Sequence, residues 1–170
     1  PHDCYGGTYR LLNQLKLREV INAEFHNQLN EDFIEKILSR KPKLVWIETP
    51  SNPLLRITDI VKITAAAHQV GTVVVVDNTF LSPALQQPLN LGADIVIHST
   101  TKYINGHSDV VGGAVIAKSQ EHFEYLKYWA NCLGLTASPF DSYLTLRGLR
   151  TLKARLAVHL ANTKSIVNVL

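Results

Sequence analysis

Apolar and polar positions along this chain follow two different periods. Phe33, Ile34, Ile37 and Leu38 recur at helical spacing behind Asn30, Glu31 and Asp32, which reads as an N-cap with an acidic first turn, and Pro42 stops the pattern. Leu44-Val45-Trp46-Ile47 is an apolar run of strand length, and Pro50-Ser51-Asn52-Pro53 is a loop set by two prolines. Thr58-Asp59 opens a second helix carrying Ile60, Val61, Ile63, Ala66 and Ala67, and Gly71 ends it. Val73 to Val76 has no alternation, which predicts a strand buried on both faces, with Asp77 closing it. Ile95-Val96-Ile97 and Gly113-Ala114-Val115-Ile116-Ala117 predict two more strands, and residues 19–25 a short one. Residues 120–133 and 140–170 predict helices, the second with a candidate break near Gly148. Strand and helix alternate, so the expected fold class is α/β with a mainly parallel sheet. Ligands of such sheets sit beyond the carboxyl ends of the strands.

Three strand ends carry unusual polar residues: Glu48, Thr49, Ser51 and Asn52; then Asp77, Asn78 and Thr79; then His98 to Tyr103, followed by Asn105-Gly106-His107-Ser108-Asp109. Taken alone, Asp77 reads as a turn or cap residue, with a carboxylate aimed at a cationic ligand atom as the second reading. Lys102 among hydroxyls reads either as a solvated loop lysine or as an amine nucleophile whose solvation is reduced. Ser99 and Thr101 are candidate donors to phosphate oxygens. The sequence holds no GxxxxGK[ST], no GxGxxG and no GxSxG. His98, His107 and Asp109 lack the spacing of a metal set. Gly6-Gly7 suggests a close backbone approach. Tyr125, Tyr128, Trp129 and Leu133 share a helical side, which predicts ordinary core packing.

Composition narrows the function classes. Apolar residues at 46% and charged residues at 18% exclude a disordered chain. Seventeen basic against 14 acidic residues leave a net charge of +3, too little to argue for nucleic acid. No apolar run approaches the about 18 residues of a membrane span, and no membrane partner is expected. Cys4 and Cys132 stand far apart, which points away from a disulfide scaffold and toward a reducing, cytoplasmic setting. Residue 1 is Pro, Met is absent, and the last residues still read as helix, so a piece of a longer protein is expected.

The combination of strand-end Asp77, the loop Ser99-Thr100-Thr101-Lys102-Tyr103-Ile104-Asn105-Gly106-His107-Ser108-Asp109, and the leading run Asp3-Cys4-Tyr5-Gly6-Gly7-Thr8-Tyr9-Arg10 resembles the transsulfuration enzymes that use pyridoxal phosphate. This is the Cys/Met metabolism family of cystathionine γ-synthases, γ-lyases and β-lyases. Glu48-Thr49-Pro50-Ser51-Asn52-Pro53, Val76-Asp77-Asn78-Thr79-Phe80, Phe140-Asp141-Ser142-Tyr143 and Arg147-Gly148-Leu149-Arg150-Thr151-Leu152 extend the resemblance over nearly the whole chain. It implies a three-layer α/β/α fold like the large domain of fold-type I transferases. It also implies roles. Lys102 would hold pyridoxal 5'-phosphate as an imine, and Asp77 would face the pyridine nitrogen. Tyr5 would stack on the ring and take part in proton transfer. Ser99 and Thr101 would bind phosphate, Asn52 would lie near the ring oxygen and the substrate carboxylate, and Arg10 would meet the distal end of the substrate.

Within the family, Gly7 stands where methionine γ-lyases place a cysteine. The runs Phe80-Leu81-Ser82-Pro83-Ala84-Leu85-Gln86 and Trp129-Ala130-Asn131 look most like bacterial cystathionine γ-synthases, which join cysteine to an O-acylated homoserine. The alternatives are γ-lyase elimination, a catalytically inactive cofactor-binding fragment, and a phosphate-binding α/β domain without covalent chemistry. The resemblance implies that residues 1–150 form the cofactor-binding core without its N-terminal arm. Residues 151–170 would lead into a C-terminal domain, and the full-length protein would be a homo-oligomer, a dimer or tetramer. The stretch by itself is then expected to show little or no turnover.

Overall fold

Every apolar run read as a strand from residue 44 onward becomes one. The computed structural model describes all 170 residues. Its elements are α1 (Gly6–Leu17), α2 (Phe33–Arg40), β1 (Leu44–Glu48), α3 (Ile60–His68), β2 (Val73–Asp77), α4 (Ser82–Leu85), a 3-10 turn (Pro88–Leu91), β3 (Ile95–Ser99), β4 (Gly113–Ala117), α5 (Gln120–Cys132) and α6 (Pro139–Val167). The strands form one mostly parallel sheet in chain order, β1-β2-β3-β4, flanked by helices. The chain divides into two compact units, Pro1–Asn78 with Pro88–Val96 and Thr79–Gln87 with Ile97–Leu170.

In the first unit β1 and β2 pair in parallel, with Val45 opposite Val74, Ile47 opposite Val76 and Glu48 opposite Asp77. Val45, Ile47, Val74 and Val76 point to one face, where they pack with Phe33 and Ile37 of α2 and Ile60, Ile63 and Ala67 of α3. Val75 points the other way and is also buried, so β2 is covered on both faces. Asp59 caps α3 by accepting from the Lys62 N–H at 2.9 Å. Ile47 is fully buried at the middle of this core. Ile47→Ala should therefore lower unfolding free energy by about 2–5 kcal/mol, the range for emptying such a site. Urea denaturation of the two chains measures it.

Four expectations change. Residues 19–25 form no strand. Instead α1 closes with Glu19 in the left-handed region (φ 58°) and Val20 N–H returning to the Leu15 carbonyl at 3.0 Å, and the chain then runs on without a ladder partner. Helix α1 opens on two glycines and buries no residue, so the apolar pattern does not announce it. Helix α2 begins at Phe33 behind Asp32, not at an Asn30 cap. Asp32 pairs instead with Lys36 one turn on, at 2.6 Å.

In the second unit α5 packs on β4 and α4 on α6. Helix α6 is unbroken at Gly148 and runs on both sides of residue 150. Gly148 is glycine because a Cβ there would lie 2.1 Å from the Asn105 carbonyl oxygen. The helix needs close approach at that point, not a break. The α5 aromatic side is not core either. Tyr125, Tyr128, Trp129 and Leu133 are 64%, 63%, 45% and 64% exposed, since α5 packs chiefly on β4. The rings edge against one another instead, Tyr128 to Trp129 at 5.6 Å. No helix is long and apolar enough to cross a membrane.

Candidate active site

The first unit gathers its polar residues around the end of β1. Glu48 closes that strand and is 6% exposed. Its Oε2 accepts from the Tyr5 N–H at 2.8 Å and its Oε1 from the Asn52 N–H at 3.0 Å. One carboxylate thus ties together the two loops that carry Tyr5 and Asn52. Burial pushes Glu48 above the usual carboxylate range, and the Asp77 charge adds to this, while the two N–H donors work against it. Glu48 was visible in the sequence only as one of several strand-end polar residues. The β1–β2 register that sets it beside Asp77 was not.

A second set of contacts fixes the same loops. Ser51 Oγ donates to Asp3 Oδ2 at 2.7 Å and accepts from the Arg56 N–H at 3.2 Å. Thr49 Oγ1 accepts from the Thr58 N–H at 3.0 Å. Thr49–Pro50 and Asn52–Pro53 are cis. Burial raises the Asp3 carboxyl, but the Ser51 hydroxyl, a backbone donor, His2 and Arg56 outweigh it and hold the group below its ordinary value. The Tyr5 ring is half exposed and lies against Gly7, where a Cβ would stand 2.6 Å from the ring carbon Cε1. Arg10 is exposed on the first turns of α1.

The second unit presents the lysine loop. Lys102 is exposed rather than withdrawn from solvent. Its N–H donates to the Ser99 carbonyl at 3.3 Å, and its carbonyl accepts from the Gly106 N–H at 2.9 Å. The Ser99 N–H donates to Thr79 Oγ1 at 2.9 Å. Thr101 Oγ1 accepts from the Gly112 N–H at 2.9 Å and donates to the Gly112 carbonyl at 3.3 Å. Behind the turn, Asn105 is fully buried and donates from Nδ2 to Asp109 Oδ1 at 2.6 Å. His107 Nδ1 bonds the Asn105 carbonyl at 2.6 Å. His107 and Asp109 thus brace the loop.

Each unit carries donor chemistry that suits a part of pyridoxal phosphate. An accessible lysine on a tethered turn can bond to an aldehyde carbon. The paired carboxylates of Glu48 and Asp77 favour a cationic nitrogen nearby, which would lower the cost of keeping both. An exposed tyrosine ring and strand-end hydroxyls match an aromatic ring and a phosphate.

Comparison with known proteins agrees. The chain is 56% identical over 170 residues to the cystathionine γ-synthase of Escherichia coli (strain K12), covering 100% of this chain and 44% of that protein. The solved cystathionine γ-synthase of Xanthomonas oryzae pv. oryzae in complex with cystathionine matches with a TM-score of 0.98 at 58% identity, over 100% of this chain and 44% of the other. The cystathionine γ-lyase of Dictyostelium discoideum is 45% identical over 168 residues, 99% of this chain and 43% of that protein. The chain thus spans less than half the length of these relatives. The profile of the Cys/Met metabolism PLP-dependent enzymes matches residues 1–170 throughout, and the chain belongs to that family.

Proposed function

We propose that this chain carries the cofactor site of a cystathionine γ-synthase-type enzyme, which replaces the acyl group of an O-acylated homoserine by cysteine. The observation that carries the reading is Lys102, exposed on a turn whose two ends are hydrogen-bonded, in a chain that matches the pyridoxal-phosphate family over its whole length. A similar structure holding cystathionine supports the choice within the family. Elimination is the second reading, favoured by the identity to a γ-lyase.

Bound pyridoxal phosphate supplies the electron sink that stabilises negative charge on a substrate carbon. This chain's residues supply the rest. The Lys102 amine would hold the cofactor and would accept and return protons at the substrate carbons. Asp77 would keep the ring nitrogen protonated, and Glu48 beside it adds to the negative potential. Tyr5 would lie against the ring and serve proton exchange. Ser99 and Thr101 serve the phosphate, and Asn52 the ring oxygen and substrate carboxylate. Arg10 meets the distal carboxylate, for which a planar guanidinium is suited. The assembled protein is a cytoplasmic homo-oligomer.

The test is borohydride reduction of the purified chain with pyridoxal phosphate, followed by peptide mass mapping. A visible absorbance band and a single adduct on Lys102 are expected. A folded chain with no adduct, or one spread over surface lysines, overturns the reading. Any turnover of O-succinylhomoserine and cysteine, however small, separates the two chemistries, cystathionine marking replacement and a 2-oxo acid marking elimination.

A further inference from the structure

Helix α6 does more than close the second unit. The Arg155 guanidinium lies on the lysine loop. Its Nη2 donates to the Ile104 carbonyl at 3.3 Å and to the Gly148 carbonyl at 2.8 Å, and its Nε donates to Thr151 Oγ1 at 3.0 Å. Thr151 Oγ1 in turn donates to the Gly148 carbonyl at 3.1 Å. The guanidinium covers Gly106 so closely that a Cβ there would lie 2.0 Å from Nη1 and 2.4 Å from Cζ. Gly106 has φ +72°, so glycine both supplies the turn and leaves room for the cation. It is also the residue whose N–H holds the Lys102 carbonyl. About two turns back along α6, Gly148 seats the Asn105 carbonyl. Ile104 and Asn105, between the two contacts, are buried.

We propose that Arg155 is a positioning residue for Lys102. Its planar fork clamps residues 104–106 onto α6, and the Gly106–Lys102 hydrogen bond passes that constraint to the lysine. This rests on the cofactor role of Lys102 proposed above. A fork with three fixed donors does this better than a lysine would, because the guanidinium is already planar and oriented. A misplacement of about 1 Å of a reacting group is enough to lower a rate by as much as about 10²-fold.

Two readouts on Arg155→Met test the clamp. The first is amide hydrogen exchange without cofactor. Exchange at Gly106 and Asn105 should quicken at least about 10-fold, while the β2 amides keep their protection, since they follow global stability. The second is the rate of adduct formation on Lys102, which should fall by a similar factor. Arg155→Lys keeps the charge and the stem but not the fork, and should move both readouts the same way by less. It also serves if the methionine variant fails to fold. Unchanged exchange at Gly106 in a folded variant overturns the clamp. Faster exchange with unchanged adduct formation makes Arg155 merely structural and overturns the positioning role. If the wild-type chain forms no adduct, the cofactor reading fails instead, and exchange at Gly106 still decides whether Arg155 clamps the loop.

Discussion

Lys102→Ala should give a folded chain that forms no borohydride-stable adduct with pyridoxal phosphate. Two facts separate function from stability here. The Lys102 side chain is exposed, and both hydrogen bonds of the residue are made by its backbone. An exposed substitution away from packing changes stability by no more than about 0.5 kcal/mol, so the melting temperature should hardly move. The amine, by contrast, is the group proposed to bond to the cofactor, and alanine has none. Two of the other lysines are held in ion pairs. Lys36 pairs with Asp32 at 2.6 Å, and Lys127 with Glu124 at 3.8 Å, both on helix surfaces. Mass mapping after reduction measures the outcome. An adduct of undiminished yield on the variant would remove Lys102 from its proposed role.

Replacing Glu48 should have the largest effect on stability within the site. Alanine leaves the Tyr5 and Asn52 N–H groups without their acceptor, at about 1–3 kcal/mol for each donor left unpaired and less where water reaches it, so a loss of about 2–4 kcal/mol is expected. The loops bearing Tyr5 and Asn52 would loosen together, and cofactor affinity should fall with them. Glu48→Gln separates charge from bonding, since its amide keeps one acceptor oxygen and removes the buried charge. The sign of its pH dependence follows from the raised carboxyl. The folded chain binds this proton more tightly than the unfolded chain does. Wild-type stability therefore falls as pH rises from the ordinary carboxylate value through the raised folded value, and levels off above it. The glutamine variant lacks that slope, so it should gain on wild type across this window. Asp3 has the opposite sign, and its contribution is lost as pH falls below the ordinary range, so the two windows do not overlap. Urea midpoints measured against pH for the three chains test the prediction. Parallel curves for wild type and Glu48→Gln would show that Glu48 does not titrate as argued.

These effects arise from different levels of information. Strands β1 to β4 follow from local apolar runs of strand length, of which Val73–Val76 in β2 is buried on both faces. Asp59 and Ser119 as caps are likewise local, each bonding a main-chain N–H three residues on. Lys102, Asp77, Tyr5 and Asn52 stand out because their motifs are contiguous in sequence. What misled was equally local. Gly148 suggests a break on propensity alone, yet it lets α6 approach Asn105.

The amino-acid sequence by itself determined the α/β class, the strand cores, the family and the candidate residues for its chemistry, since each depends on neighbours within one segment. Only the tertiary structure decided what holds those residues in place. Glu48 acts on Asn52 four positions away but on Tyr5 across 43, and Arg155 acts on Ile104 across 51. Contacts at such separations depend on strand register and helix docking, which no local spacing encodes. The exposed aromatic side of α5 has the same origin. Its period predicts an apolar side, but whether that side is covered depends on what the rest of the chain places against it.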